Sequence, residues 1–312
     1  MQKNRNKFLI VSLVFLLLIS SGLYVFTKEE GRPDINRGLF RLAETEKIDQ
    51  VTLKSPGRSI TLKFENNKWR VNDTWDADTR MIKVLFATLK QVEPRRPVAA
   101  SMRDSIKSRL TEKGTKVSLF SGGGKMQDFF AGGNTLKTET WFLKEGDSQP
   151  YSMIIPGYRV YVNGILELDE SGWRNKRIFD FNWRNFKSLT SSYSKDPKEN
   201  FEIAMKDGYF GIRNMEAVDT TKLNNYLDAV SLLFASKFVP SNGPGADSLG
   251  SASPGVKIEI KDIANRTYSL ELFTPRSKDN TIYGRLGDGQ IVSLDKATVA
   301  EIVRKREYFK TR

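Results

Sequence analysis

The amino-acid sequence predicts an α+β protein, with an N-terminal transmembrane helix followed by two tandem repeats, each an antiparallel sheet packed against one or two helices. Three observations predict it. Residues 8–26 read FLIVSLVFLLLISSGLYVF, an uncharged apolar run. Beyond it, short stretches alternate apolar and polar residues between glycine, proline and asparagine turns, as half-buried strands do. The order of those elements then recurs in the second half of the chain.

The apolar run comes first. At about 1.5 Å per residue a helix over it measures roughly 28 Å, close to the ~30 Å hydrocarbon core of a bilayer. Lys3, Arg5 and Lys7 precede it without an acidic partner, whereas Lys28, Glu29, Glu30 and Arg32 follow as a balanced set. The basic excess keeps the N-terminus in the cytoplasm and exports the C-terminal bulk. The expected organisation is a cytoplasmic tail (1–7), the transmembrane helix (8–26), a linker (27–47) and repeat units over 48–185 and 186–312. The expected location is a bacterial inner membrane, with the body in the periplasm. A cleaved signal peptide is the alternative, with Ser20-Ser21-Gly22 as its best cleavage site, although that site lies inside the run.

In the first unit Val51, Leu53, Ile60, Leu62 and Phe64 alternate with polar residues, and Asn66-Asn67 turns the chain into Trp69-Arg70-Val71. Asp78 opens a helix in which Met81, Ile82, Leu85, Phe86, Leu89 and Val92 recur at helical spacing, closed by Pro94 and Pro97. A polar helical segment follows at Ser101–Glu112. Strands resume at 116–120, 126–131, 140–143 and 151–155, separated by Gly122-Gly123-Gly124, Gly132-Gly133 and Gly146-Asp147.

The second unit repeats the order. Strands at 186–193, 201–205 and 209–212 lead to a helix opened by Asp219 and carrying Leu223, Tyr226, Leu227, Val230, Leu233 and Phe234. Pro240 closes it, and strands at 256–260, 268–273, 282–286 and 291–294 follow, separated by Pro275, Asn280 and Gly287-Asp288-Gly289. Trp69 aligns with Tyr209, Asp78 with Asp219, Leu85 with Tyr226, and Trp141-Phe142 with Tyr283-Gly284. Each unit is expected to end in a basic-aromatic helix, at Trp173–Phe179 and Arg304–Phe309. Residues 241–255, SNGPGADSLGSASPG, have the composition of a surface loop.

Composition excludes more than it assigns. The 312 residues include no cysteine and no histidine. Disulfides, a lipid-modified N-terminal cysteine, thiolate or imidazole metal sites and every Ser-His-Asp or Cys-His arrangement are therefore absent. The net charge of +13 favours anionic membrane surfaces or acidic polymers. An exported location argues against nucleic acid as a partner.

Several of these residues together resemble domain-of-unknown-function family 4340. They are the strand pair running into Lys68-Trp69-Arg70-Val71, then Asp76-Ala77-Asp78 opening a helix, then Trp173-Arg174-Asn175-Lys176-Arg177-Ile178-Phe179-Asp180-Phe181. Thr74-Trp75-Asp76 stands where the family has tyrosine-proline before the Ala-Asp step. The resemblance covers most of the exported part. It implies a membrane-anchored bacterial protein, often encoded beside an ABC-type transport system related to gliding-motility export components, with no established catalysis and no functional residues to transfer.

The candidate partner or ligand surface is the run containing Trp173, Arg174, Lys176, Arg177, Trp183 and Arg184. Interleaved aromatics and cations stack on sugars or dip into a lipid interface; a helix that buries the aromatics and solvates the charges has the same pattern. Trp69 and Asp78 read as core and helix cap. Gly122–Gly124 lacks the Lys-Ser or Lys-Thr of a phosphate loop. The carboxylates Asp76, Asp78, Glu167, Asp169, Glu170 and Asp207 show neither calcium-loop spacing nor a context that raises a pKa. The sequence thus predicts a non-catalytic accessory or docking component of a membrane transport system, without cofactor or metal, whose partners are integral transporter subunits, other envelope proteins or an anionic membrane surface. The alternative is an envelope carbohydrate- or lipid-binding module, with hydrolysis as its extension.

Overall fold

The computed structural model describes residues 12–22, 35–206, 208–240, 252–274 and 280–311. The chain divides into two units: Met1–Thr74 with Arg80–Leu168, and Trp75–Thr79 with Asp169–Arg312. Each holds an antiparallel sheet and helices, so the protein is α+β. Helix α1 covers residues 12–22, and its large apolar residues are exposed. Among the described residues no helix is long and apolar enough to cross a membrane. Residues 8–11 and 23–26 of the anticipated span lie outside the described residues, as do the flanking charges from Lys3 to Lys7 and Lys28 to Arg32.

Unit 1 opens with a three-stranded meander, β1 (Gln50–Ser55), β2 (Arg58–Glu65) and β3 (Lys68–Val71). Val51 faces Leu62 and Leu119, and Leu53 faces Ile60 and Val117, so the predicted alternation becomes one apolar face. Asn66 and Asn67 both adopt positive φ, as a tight hairpin requires. A short strand β4 (Trp75–Asp76) belongs to unit 2. Helix α2 (Thr79–Gln91) then buries Ile82, Leu85 and Leu89 and sets Phe86 against Trp69 of β3.

Pro94 and Pro97, anticipated only as helix stops, also form a strand, β5 (Glu93–Pro97). It pairs with a single neighbour at the sheet edge, the position where missing N–H donors are tolerated. Helix α3 (Ala100–Lys113) follows, then β6 (Thr115–Ser121), β7 (Gly124–Gly133), β8 (Thr140–Lys144) and β9 (Tyr151–Ile154). The strands of unit 1 run in the order β3-β2-β1-β6-β7-β8-β9-β5. Gly122 and Gly123 form the β6–β7 turn, as anticipated, but Gly132 and Gly133 are the last residues of β7 rather than a separator. Their backbone pairs with Trp141 and Thr140, and the turn itself is made by Asn134, whose side chain accepts from Thr138 N and Glu139 N.

Both faces of the β7–β8 region are covered. Trp141 and Leu143 pack with Ile106 and Leu110 of α3, while Phe129 and Phe142 pack with Phe40. Phe40 is fully buried, so part of the anticipated 27–47 linker belongs to the core of unit 1.

Unit 2 begins its sheet with β10 (Phe186–Tyr193), β11 (Phe201–Lys206) and β12 (Tyr209–Ile212), preceded by a single helical turn α4 (Glu170–Trp173). Helix α5 (Thr220–Ser231) is capped by Asp219, whose carboxylate accepts from Lys222 N at 3.0 Å. Edge strand β13 (Lys237–Val239), then β14 (Val256–Asp262), β15 (Thr267–Leu272), β16 (Thr281–Leu286), β17 (Ile291–Asp295) and helix α6 (Lys296–Ile302) complete it. The order β12-β11-β10-β14-β15-β16-β17-β13 reproduces that of unit 1 strand for strand. Its main core includes Leu189, Ile203, Tyr226, Val230, Ile258, Leu270 and Phe309, and a smaller cluster joins Phe273 to Ile291.

The repeat register differs by one residue from the sequence alignment at one point. The β2–β3 hairpin pairs Glu65 with Lys68 and the β11–β12 hairpin pairs Lys206 with Tyr209, so Trp69 corresponds to Phe210. Of the anticipated loop, residues 241–251 lie outside the described residues, as do Asp207 and Pro275.

Candidate functional site

The basic-aromatic run does not form the anticipated helix. Helix α4 stops at Trp173, and Arg174 and Arg177 make isolated antiparallel bridges to Ala77 and Phe234. Asn175 N donates to Asp76 O, Ile178 N to Leu233 O and Ala235 N to Lys176 O, so this backbone is extended and paired on both sides. The second anticipated helix is a single 3₁₀ turn, Arg306–Phe309. Residues 169–185, placed with the first repeat by sequence, cluster with unit 2, where Phe179 is core and Phe181 and Trp183 pack beside it.

The six residues of the run do not share one surface. Trp173 is fully buried. Arg174 is 8% exposed, its guanidinium carbon 3.6 Å from the ring centroids of both Trp75 and Phe238, and it donates to Gln290 Oε1. Burial lowers its pKa, while Glu170 and Asp288 act in the opposite sense. Lys176 and Arg177 are half-buried, Lys176 donating to Ser236 O and Arg177 lying over Phe234 at 5.6 Å. Trp183 stacks on Phe186 at 5.4 Å, and Arg184 alone is exposed. The pattern is that of side chains packed into unit 2, with the Arg174 guanidinium used as planar filling between two rings.

The candidate carboxylates are scattered. Asp169 caps α4 by accepting from Gly172 N at 2.7 Å. Asp78 is buried immediately before α2, and its backbone N–H donates to Trp173 O. Asp76 uses its carbonyl on Asn175. Among the described residues no group of three or more acidic side chains is placed to hold a metal ion.

Glu167 is the exception, because it lies in a cleft. A cavity of about 360 Å³ in unit 1 is lined by residues that include Arg58, Arg109, Lys113, Gly133, Asn163 and Glu167. Four elements supply most of its lining. The C-terminal half of α3 supplies Arg109 and Lys113, four residues apart and so on one helix face. The end of β7 supplies Gly132 and Gly133, where any side chain would meet Leu110 and Tyr161 respectively. A 3₁₀ helix, Val162–Glu167, supplies Asn163 and Glu167. Arg58 of β2 ties that helix down by donating to Leu166 O and Leu168 O and, at 2.9 Å, to Thr115 Oγ1.

Within the cleft, Glu167 Oε1 accepts from Tyr161 at 2.6 Å and from Asn163 Nδ2 at 2.7 Å, and Oε2 accepts from Lys137 at 2.9 Å. Burial raises the pKa of the Glu167 carboxyl, but these three donors outweigh it and hold the group below its ordinary value. The Tyr161 hydroxyl is pushed up to about 12 by burial and by its bond to that carboxylate. Arg109 and Lys113 are exposed at the rim. Sequence reading singled out Glu167 alone among these residues. The signal for the others was weak: a glycine pair has the same spelling in a turn and at a strand end, and Arg109 and Lys113 read as solvated charges on a polar helix.

The architecture defines a tandem α+β protein in which one fold is used twice. Residues 69–254, more than half of the chain, match the family model described as Domain of unknown function (DUF4340), and the chain belongs to that family. No curated protein and no solved structure matches it.

Proposed function

We propose that this chain is a membrane-anchored, non-catalytic envelope protein, held by its N-terminal helix with the duplicated body outside the cytoplasm, and that it serves as an accessory or docking component of a membrane transport or export system. One observation supports the anchor above others. Leu13 through Ile19, seven consecutive large apolar residues, are each 44–67% exposed on α1. An apolar surface on every side of a helix is costly in water and favourable in hydrocarbon. The basic residues ahead of it set the orientation. For the body, the family carries no assigned function, and the chain's lack of histidine and cysteine directs the reading toward binding.

Fusions at the C-terminus test the topology. An alkaline phosphatase fusion is expected to be active and a green fluorescent protein fusion dark; the reverse pattern overturns the exported body. Crosslinking in intact cells is expected to recover integral transporter subunits. The sequence alternative attached carbohydrate or lipid binding to the 173–184 run, and the burial of Trp173 and Arg174 gives that location no support.

A further inference from the structure

The unit 1 cleft contains one polar atom that the fold does not use. Asn163 is 2% exposed; its Nδ2 donates to Glu167 and its backbone N–H to Thr140 Oγ1, yet its Oδ1 is buried with no hydrogen-bond partner. Such an acceptor costs stability unless a donor meets it. Beside it stands the Glu167 carboxylate, a further acceptor, which the Tyr161 hydroxyl holds in place. The inner end of the cleft therefore calls for hydroxyl or amide donors. The rim calls for the opposite: Arg109 and Lys113 are exposed cations, and the interactions seen for Arg109 are its position 5.8 Å from the Trp141 ring centroid and its proximity to Tyr161. The donors of Arg58 are spent on Ser55, Thr115, Leu166 and Leu168.

We propose that this cleft binds a carboxylated sugar, with the carboxylate against Arg109 and Lys113 and ring hydroxyls donating to Asn163 Oδ1 and Glu167. A bare inorganic anion at the rim is disfavoured, because it leaves Asn163 Oδ1 without a donor. A neutral sugar leaves the two rim cations unused. A cavity of about 360 Å³ suits one such ring, at the small end of the ~300–1,000 Å³ typical of ligand pockets. Gly133 lines the cleft and is needed because a Cβ there would collide with the Tyr161 hydroxyl that holds Glu167 in place. The site lies apart from the 173–184 run and does not depend on the anchor or on a transport partner.

The test is calorimetric titration of the full chain in detergent with glucuronate, galacturonate and N-acetylmuramate, using glucose and acetate as controls. At least one acidic sugar is expected to bind saturably, at least tenfold more tightly than glucose or acetate. The double variant Arg109→Gln/Lys113→Gln, confined to exposed side chains, is expected to keep the thermal midpoint and lose that binding at least tenfold. Absence of saturable binding by all three acidic sugars overturns the proposal. So does acetate binding as tightly as the sugars, or a double variant with unchanged affinity.

Discussion

Arg174 shows how a charged residue in an aromatic context is used by the fold rather than offered to a partner. Its guanidinium lies between two rings at 3.6 Å and donates a hydrogen bond to Gln290 Oε1. Replacing it by alanine removes two desolvated cation–π contacts and the packing of the stem, and is expected to cost about 2–3 kcal/mol. Arg174→Lys should recover less than half of that, because an ammonium cannot stack flat between Trp75 and Phe238. Urea unfolding midpoints of the two variants measure both effects; a lysine variant equal to wild type would show that charge alone matters. In the sequence this residue reads as a surface cation, because alternating Trp, Arg and Lys has the same spelling in a packed extended segment and in an exposed amphipathic one.

At the scale of elements, strands and helices with strong periodicity are legible in the sequence, whereas two of the edge strands are not. The spacing of Ile82, Leu85 and Leu89, and the alternation of Val51, Leu53, Ile60 and Leu62, each correspond to one buried face. Strand β5 reads Glu93-Pro94-Arg95-Arg96-Pro97, whose prolines spell a helix stop, and β13 is only three residues long, too short for an alternation to show. The cleft is illegible for a different reason. Its residues come from β2, α3, β7 and a 3₁₀ helix, and only the sheet order brings them together.

That 3₁₀ helix, Val162–Glu167, makes the next prediction, since the Glu167 carboxylate gathers Tyr161, Asn163 and Lys137 around it. A carboxyl held below its ordinary value of 4.5 contributes stability above that pH and loses it as pH falls further. Tyr161, raised from 10.0 to about 12, contributes below pH 10 and loses its share as pH rises toward 12. Thermal midpoints of the wild type should therefore exceed those of Glu167→Gln by a constant margin from about pH 6 to 9, and the margin should shrink below 4.5. A margin unchanged at pH 3 to 4 would mean that the carboxylate charge does not hold this element.

For the molecule as a whole, identical strand orders built from different side chains show that topology is what the duplication preserved. Leu85 of α2 corresponds to Tyr226 of α5, and Trp69 to Phe210, yet the sheets wind alike. Each unit fills its own interior, with Phe40, Phe129 and Phe142 in one and Phe201, Tyr226 and Phe309 in the other. Residues 12–21 enter neither interior, for all of them are exposed. The two cores therefore form without these residues. Deleting residues 1–34 is expected to move the chain from the membrane pellet to the supernatant of lysed cells. The thermal midpoint of the remaining body should stay within about 2 °C of the parent, because no buried residue is lost among those described. A truncated chain that still sediments with membranes would move the attachment to the body, where the +13 net charge then becomes the leading cause. Sedimentation repeated at high salt separates these cases, since screening releases a charge-held body and leaves an inserted helix in place.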